Sequence, residues 1–246
     1  MDKAQLVLSV ETATLGGSVA ITRGDELLGS IIGDAQTSHS NTLLSDINEV
    51  LGRARVSLDQ IDLFAAASGP GSFTGLRIGI ATVKGLAVTL RRPSIGVPTL
   101  RAVAHAAGAS KATVALLPAG RGEVFAQLFS VSDTGAVTAL DEAAHLPPQR
   151  LVDRYKSLEK ILWAGEGAHV QRETIEVAAQ QVGIPFRDTS KQGEMGWVLA
   201  PRENNLARSV AALALLSFEG GESGSPEALQ AIYVRPSDAE LKLKCQ

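Results

Sequence analysis

Ile61-Asp62-Leu63-Phe64-Ala65-Ala66-Ala67-Ser68-Gly69-Pro70-Gly71-Ser72-Phe73-Thr74-Gly75-Leu76-Arg77-Ile78-Gly79 is the stretch on which the fold turns. Ile61 to Ala67 is a continuous apolar run of the kind a strand buried on both faces shows. Ser68 to Gly75 is dense in glycine around Pro70. From about Thr74 to Leu90 the period becomes helical, with Leu76, Ile80, Val83, Ala87 and Leu90 on one stripe, and Arg91-Arg92-Pro93 ends it. Strand, tight loop and helix in that order are the unit of a layered α/β fold.

Two chemistries fit the loop. Gly69, Pro70, Gly71, Ser72 and Thr74 suit a tight strand-to-helix turn, with Pro70 fixing one φ and Ser72 or Thr74 capping the helix. The same loop, with Arg77 behind it, presents free N–H groups and charge to an anion. The spacing is neither that of a P-loop nor that of a dinucleotide-binding fingerprint, so the turn is the reading favoured by chemistry alone. On the helix, Gly75, Gly79 and Thr82 share one flank, and Ile78, Ala81 and Gly85 another. Small residues so spaced admit a close neighbour, either inside the chain or on a partner.

Working outward, three strand-like runs precede this segment: Leu6 to Val10, Ser18 to Thr22 and Leu27 to Ile32, joined by glycine turns. Leu43, Leu44, Ile47, Val50 and Leu51 follow at helical spacing behind Ser38 and Ser40, two possible N-caps. After it come a strand, Ser94 to Val97, and a helix to Gly108. The second half repeats the order. Strands are expected at Thr113–Leu117, Glu123–Val131, Val137–Leu140 and Ile161–Ala164. Helices are expected from Pro147-Pro148 to Tyr155, from His169 to Val182 and from Asn205 to Phe218. Each half reads β-β-β-α-β-α, which predicts a duplicated α/β fold of the ribonuclease H type, the layout of the actin, hexokinase and Hsp70 superfamily. The predicted boundaries are a first lobe over 1–104 with a returning helix at 203–220, a second lobe over 105–202, and a tail over 221–246.

Composition sets the class. The chain has 246 residues with 45% hydrophobic and 20% charged side chains, which describes a globular protein. A net charge of −3 argues against a freestanding nucleic-acid binder. One cysteine, Cys245, rules out an internal disulfide. The first strand begins too early for a signal peptide, and apolar runs fall short of the roughly 18 residues of a membrane span. A cytoplasmic protein without a membrane anchor is expected.

The glycine-rich segment Ser68 to Ala87 resembles the TsaB (YeaZ) family, and the resemblance runs through most of the first hundred residues. Leu8-Ser9-Val10-Glu11-Thr12-Ala13-Thr14 resembles the family opening, with Glu11 where aspartate is usual. Ser38-His39-Ser40, Gly122-Glu123-Val124-Phe125 and Ile232-Tyr233-Val234-Arg235 resemble further family pieces. The resemblance implies a non-catalytic subunit that supports a TsaD-type threonylcarbamoyltransferase, with a TsaE-type ATPase, in forming N6-threonylcarbamoyladenosine at position 37 of tRNA. It implies a homodimer when the chain is alone, and tRNA contact only through the complex. The partner surface is expected on the two first-lobe helices, at Leu43, Leu44, Ile47, Leu51, Gly75, Ile78, Gly79 and Thr82.

No catalytic residue, cofactor or metal is expected. The TsaD pattern has a His-x-x-x-His pair after the glycine-loop helix, and Thr99 and Val103 stand at those positions here. His105 has no histidine four residues away, and His39, His145 and His169 are scattered. Two alternatives are an independent actin-like ATPase or kinase and a metallopeptidase, and Thr99 and Val103 count against the metal that the second needs. The first needs an acid at the end of the first strand of each lobe to manage magnesium. The chain offers Glu11 in the first lobe but Pro118 in the second. Asp141-Glu142 reads as solvated loop, Glu166 as part of a plain Gly165-Glu166-Gly167 turn, and Lys242 and Lys244 as an ordinary basic end.

Overall fold

A computed structural model describes residues 4–34, 39–188, 196–222 and 224–234, with the side chains of 39–41 left aside. Two units divide it: Met1–Ala102 with Asn204–Ile232, and Val103–Glu203 with Tyr233–Gln246.

The first unit is built on β1 (Leu6–Glu11), β2 (Ser18–Arg23), β3 (Glu26–Ile32), β4 (Leu63–Gly69) and β5 (Ser94–Pro98), in the spatial order β3-β2-β1-β4-β5. β1 pairs antiparallel with β2 and parallel with β4, and β4 pairs parallel with β5. Every residue of β1 and β4 is buried, as largely apolar strands covered by helices on both faces should be. On one face Leu6, Leu8, Val10, Phe64 and Ala66 meet α1 (His39–Ala54) and α2 (Phe73–Leu90). On the other lies α7 (Leu206–Glu219), the last α-helix among the described residues. Ser9 Oγ donates to the Ala207 carbonyl at 2.7 Å and Ser18 Oγ accepts the Ala207 N–H at 3.0 Å, which fixes where that helix begins. The structural division falls after Ala102, two residues before the sequence division at 104 and within the same helix, α3 (Thr99–Ala106). The stretch 221–246 is not wholly a separate tail, because Leu229 is buried in the first unit's core. Cys245, Lys242, Lys244, Arg235 and the possible cap Ser38 lie outside the described residues.

The second unit repeats the strand order with additions. β6 (Ser110–Gly120), β7 (Glu123–Val131), β8 (Val137–Ala139), β10 (Lys160–Ala164), β11 (Phe186–Arg187) and β12 (Gly196–Leu199) run β11-β12-β10-β6-β7-β8, and β9 (Ala144–Leu146) pairs with β7. β8-β7-β6-β10-β12 corresponds in position and pairing sense to β3-β2-β1-β4-β5. The sequence pattern omitted β9, β11 and β12, which have three, two and four residues, too few to show a period. The single helix expected over His169–Val182 is two, α5 (Glu166–Val170) and α6 (Arg172–Gln181), broken at Gln171. That residue is buried, and its side-chain amide donates to the Gly122 carbonyl at 2.9 Å. α4 (Pro148–Tyr155) opens on its proline as expected. Trp163 packs edge-on to Trp197 and Tyr155 in the core.

Candidate docking surface

α2 is seated on the end of β1 by the glycines of its first two turns. Ser72 caps it, its Oγ accepting the Gly75 N–H at 3.2 Å. The Ser72 N–H donates to the Ala13 carbonyl at 2.7 Å, and Thr12 Oγ1 donates to the Gly75 carbonyl at 2.8 Å. A Cβ at Gly75 would overlap the Thr12 carbonyl oxygen, and one at Gly79 would overlap Thr12 Oγ1. The flank carrying Gly75 and Gly79 is therefore close packing inside the chain. Gly69 and Gly71 hold positive φ, and a Cβ at Gly71 would collide with Ala13. Arg77 lies over the Phe73 ring, 3.8 Å from its centroid.

The other flank is open. Ala81, Gly85 and Val88 are exposed and Ile78 half-buried, and nothing lies within 4 Å of a Cβ built on Gly85; Thr82, grouped by spacing with Gly75 and Gly79, is also half-buried and borders this flank. α2 has 18 residues at a mean hydropathy of 1.3, long and apolar enough to cross a membrane by those two measures alone. The sequence expectation was that no stretch reached that length. Leu76, Ile80, Val83 and Ala87 nevertheless pack in the first unit's core, while only 33% of the helix is buried. That leaves an uncommonly apolar surface on a helix that belongs to the sheet.

α1 continues this surface. Leu43 and Ile47, expected to meet a partner, face the core at 4% exposure each, as the inward side of an amphipathic helix. Leu44 is 68% exposed and Leu51 half-buried. Leu44, Asn48, Leu51 and Gly52 line a groove of about 500 Å³ with Val56 and Leu58 from the segment that follows and Leu86 from α2, and the buried Ile47 also borders it. The sequence reading missed Val56, Leu58 and Leu86 as lining residues. Thr12 was missed as the seat of α2. Only the glycine spacing pointed to a close approach, and it did not name what approached.

The remaining candidates have structural places. Glu11 is fully buried, one carboxylate oxygen accepting the Thr14 N–H at 2.8 Å and the other the Thr14 hydroxyl at 2.7 Å. Thr99, also fully buried, accepts the Gly69 N–H at 3.1 Å. Val103 packs where a Cβ on Gly165 would stand. Pro118 lies in β6 opposite Val124. Glu166 opens α5 in a turn whose flanking glycines abut Leu116. His145 faces Glu123 at 2.8 Å and packs on Phe125. Burial and the Arg202 charge hold the His169 imidazole below its usual pKa. Among the described residues no three His, Cys, Asp or Glu side chains gather as a metal site would need. Asp141 is not solvated loop. Its carboxylate accepts the Leu128 N–H at 2.6 Å and the Tyr155 hydroxyl at 3.0 Å, and pairs with Arg154 at 2.8 Å. Burial first, and then the Asp141 charge, push the Tyr155 phenol well above its usual pKa.

Comparison with known proteins matches residues 31–214 to the sequence model of the family TsaD, tRNA N6-adenosine threonylcarbamoyltransferase. The tRNA threonylcarbamoyladenosine biosynthesis protein TsaB of Escherichia coli K12 is 28% identical over 242 residues, spanning 96% of this chain and 97% of the relative. The chain belongs to the TsaD family, in its TsaB (YeaZ) branch. The structure of YeaZ from Pseudomonas aeruginosa covers 93% of the chain and 99% of its own length at a TM-score of 0.72 and 26% identity. By contrast, the tRNA N6-adenosine threonylcarbamoyltransferase of Protochlamydia amoebophila aligns at 34% identity over 42% of this chain and 34% of its own length. The TsaB branch places the chain in tRNA threonylcarbamoyladenosine biosynthesis, and its fold is the duplicated ribonuclease H-like one.

Proposed function

We propose that the chain is a non-catalytic partner subunit that binds a TsaD-type threonylcarbamoyltransferase through α1 and α2. A TsaE-type ATPase joins that assembly, which acts in the cytoplasm on adenosine 37 of tRNA. tRNA reaches the chain only through the complex. The observation that supports this reading is the open apolar flank of α2, Ile78-Ala81-Thr82-Gly85-Val88, beside the groove lined by Leu44, Leu51 and Leu86. Gly85 and Ala81 let a facing helix approach closely, and Leu44 supplies a side chain to bury in it. Without its partner the chain covers the same surface with a second copy of itself.

The test is binding of the TsaD-type subunit from the same genome to the full chain, to Ala81→Asp and to Leu44→Asp, followed by calorimetry and by sizing. Both positions are exposed, so far-UV circular dichroism should stay unchanged. Burying an unpaired carboxylate in an interface should weaken binding more than tenfold and raise the monomer fraction of the isolated chain. Undiminished affinity in both folded variants would sink the proposal.

A further inference from the structure

Residues 224–232 form a strap across the β5 edge of the first unit. The Gly224 carbonyl accepts the Ser94 N–H at 2.7 Å. Lys84 Nζ, on α2, donates to the Glu227 carbonyl at 3.2 Å. Leu229 is 4% exposed and fills the hollow at Gly96, where a Cβ would stand 2.9 Å from its Cδ1. The Ile232 N–H donates to the Ser68 carbonyl at 2.7 Å, and its own carbonyl occupies the space a Cβ on Gly69 would need. The regular structure within the strap is one 3-10 turn, Pro226–Ala228. Close by, Ser68 Oγ and Ser94 Oγ are buried without a hydrogen-bond partner among the described residues. A buried hydroxyl left unpaired opposes closure.

A segment held by one buried leucine, the half-buried Ala231 beside it and a few hydrogen bonds belongs to the easily opened end of a protein's local stabilities. Its contacts nevertheless fall on the parts that set α2. Ile232 lies on the Gly69 turn that leads into the helix, and Glu227 reaches Lys84 further along it. We propose that residues 224–232 are a detachable strap whose closure fixes the Gly69–Gly71 turn and α2, so that docking of a partner on α2 is coupled to strap closure. The coupling rests on the reading of α2 as the docking helix. Linkage makes it reciprocal: a docked partner holds the strap shut.

Hydrogen exchange on the full chain tests the strap by itself. The Ser94 and Ile232 amides should exchange by a local opening, well before the β1 amides of Val7 to Val10. Exchange of all of them together would overturn the proposal. Leu229→Asp cannot bury its carboxylate and should hold the strap open. Ser94 should then lose most of its protection while Val7 to Val10 keep theirs. Affinity for the TsaD-type subunit should fall at least tenfold. Unchanged affinity in that variant, with Ala81→Asp still disruptive, overturns the coupling and leaves the docking reading standing. Unchanged affinity in both variants removes the docking reading and the coupling with it. Should Leu229→Asp fail to fold, Ser94→Ala gives the opposite sign. Removing the orphan hydroxyl should slow exchange at Ile232, and faster exchange there overturns the proposal.

Discussion

Gly79→Ala and Gly85→Ala, two identical substitutions six positions apart on α2, should move stability in opposite directions. In an exposed helix interior, alanine is favoured over glycine by about 1 kcal/mol. At Gly85 nothing lies within 4 Å of the new Cβ, so that preference should appear almost undiminished. At Gly79 the new Cβ overlaps Thr12 Oγ1, which donates to the Gly75 carbonyl. Forcing a methyl into a packed site costs about 1–3 kcal/mol. Losing the buried hydrogen bond adds about 1 kcal/mol. Set against the helix preference, the net is a destabilisation of roughly 1–3 kcal/mol. Thr12→Ala removes the obstructing oxygen and leaves Thr12 Cβ at 3.4 Å and Val10 Cγ1 at 3.5 Å, both tolerable contacts. The double variant Thr12→Ala/Gly79→Ala should therefore be more stable than the sum of its parts by about 1–2 kcal/mol. Urea unfolding followed by far-UV circular dichroism measures all four chains. Tryptophan emission will not serve for the first unit, because Trp163 and Trp197, the chain's two tryptophans, lie in the second. Parental stability in Gly79→Ala, or an additive double variant, would refute the assignment of that flank to internal packing. Gly85→Ala carries a second readout, since a stabilised chain that binds its partner less well marks that flank as the docking side.

Asp141→Ala should destabilise the second unit by about 2–4 kcal/mol, because it strands the Leu128 N–H, the Tyr155 hydroxyl and Arg154 together. Tryptophan emission should report it through Trp163, which packs on Tyr155. The raised Tyr155 phenol has a sign that can be checked: the unfolded chain loses that proton near pH 10 while the folded chain keeps it, so stability should fall as pH climbs past about 10. Tyr155→Phe should flatten that slope in alkaline urea titrations. His169 works the other way. Its folded pKa is lowered, so stability should fall as pH drops through about 6.5, and His169→Gln should remove that part of the dependence. Glu11→Ala should lower stability by about 1–3 kcal/mol by releasing Thr14, with unfolding by circular dichroism as the measure.

Local chemistry was enough for β1, β4, α2 and α4. Each is either a largely apolar run or a helix with its own start and stop residues, and those signals lie within the element or at its ends. The TsaB-like pieces around the glycine loop were legible for the same reason. The short strands β9, β11 and β12 were not, because two to four residues carry no period and exist as strands only by pairing with β7 or β10, or with one another. The break at Gln171 depends on a carbonyl 49 residues away. Glycine spacing on α2 announced two close-packing flanks but not which one the chain covers itself. That was decided by Thr12, 63 positions from Gly75, whose hydroxyl and carbonyl take the space a side chain would need. Likewise periodicity put Leu43, Leu44 and Ile47 on one helix, and only the sheet beneath turned Leu43 and Ile47 inward and left Leu44 outside. Sequence by itself determined the elements and their order, because backbone propensity and side-chain period are local. Tertiary structure decided which faces stay uncovered, because burial depends on residues far apart in the chain.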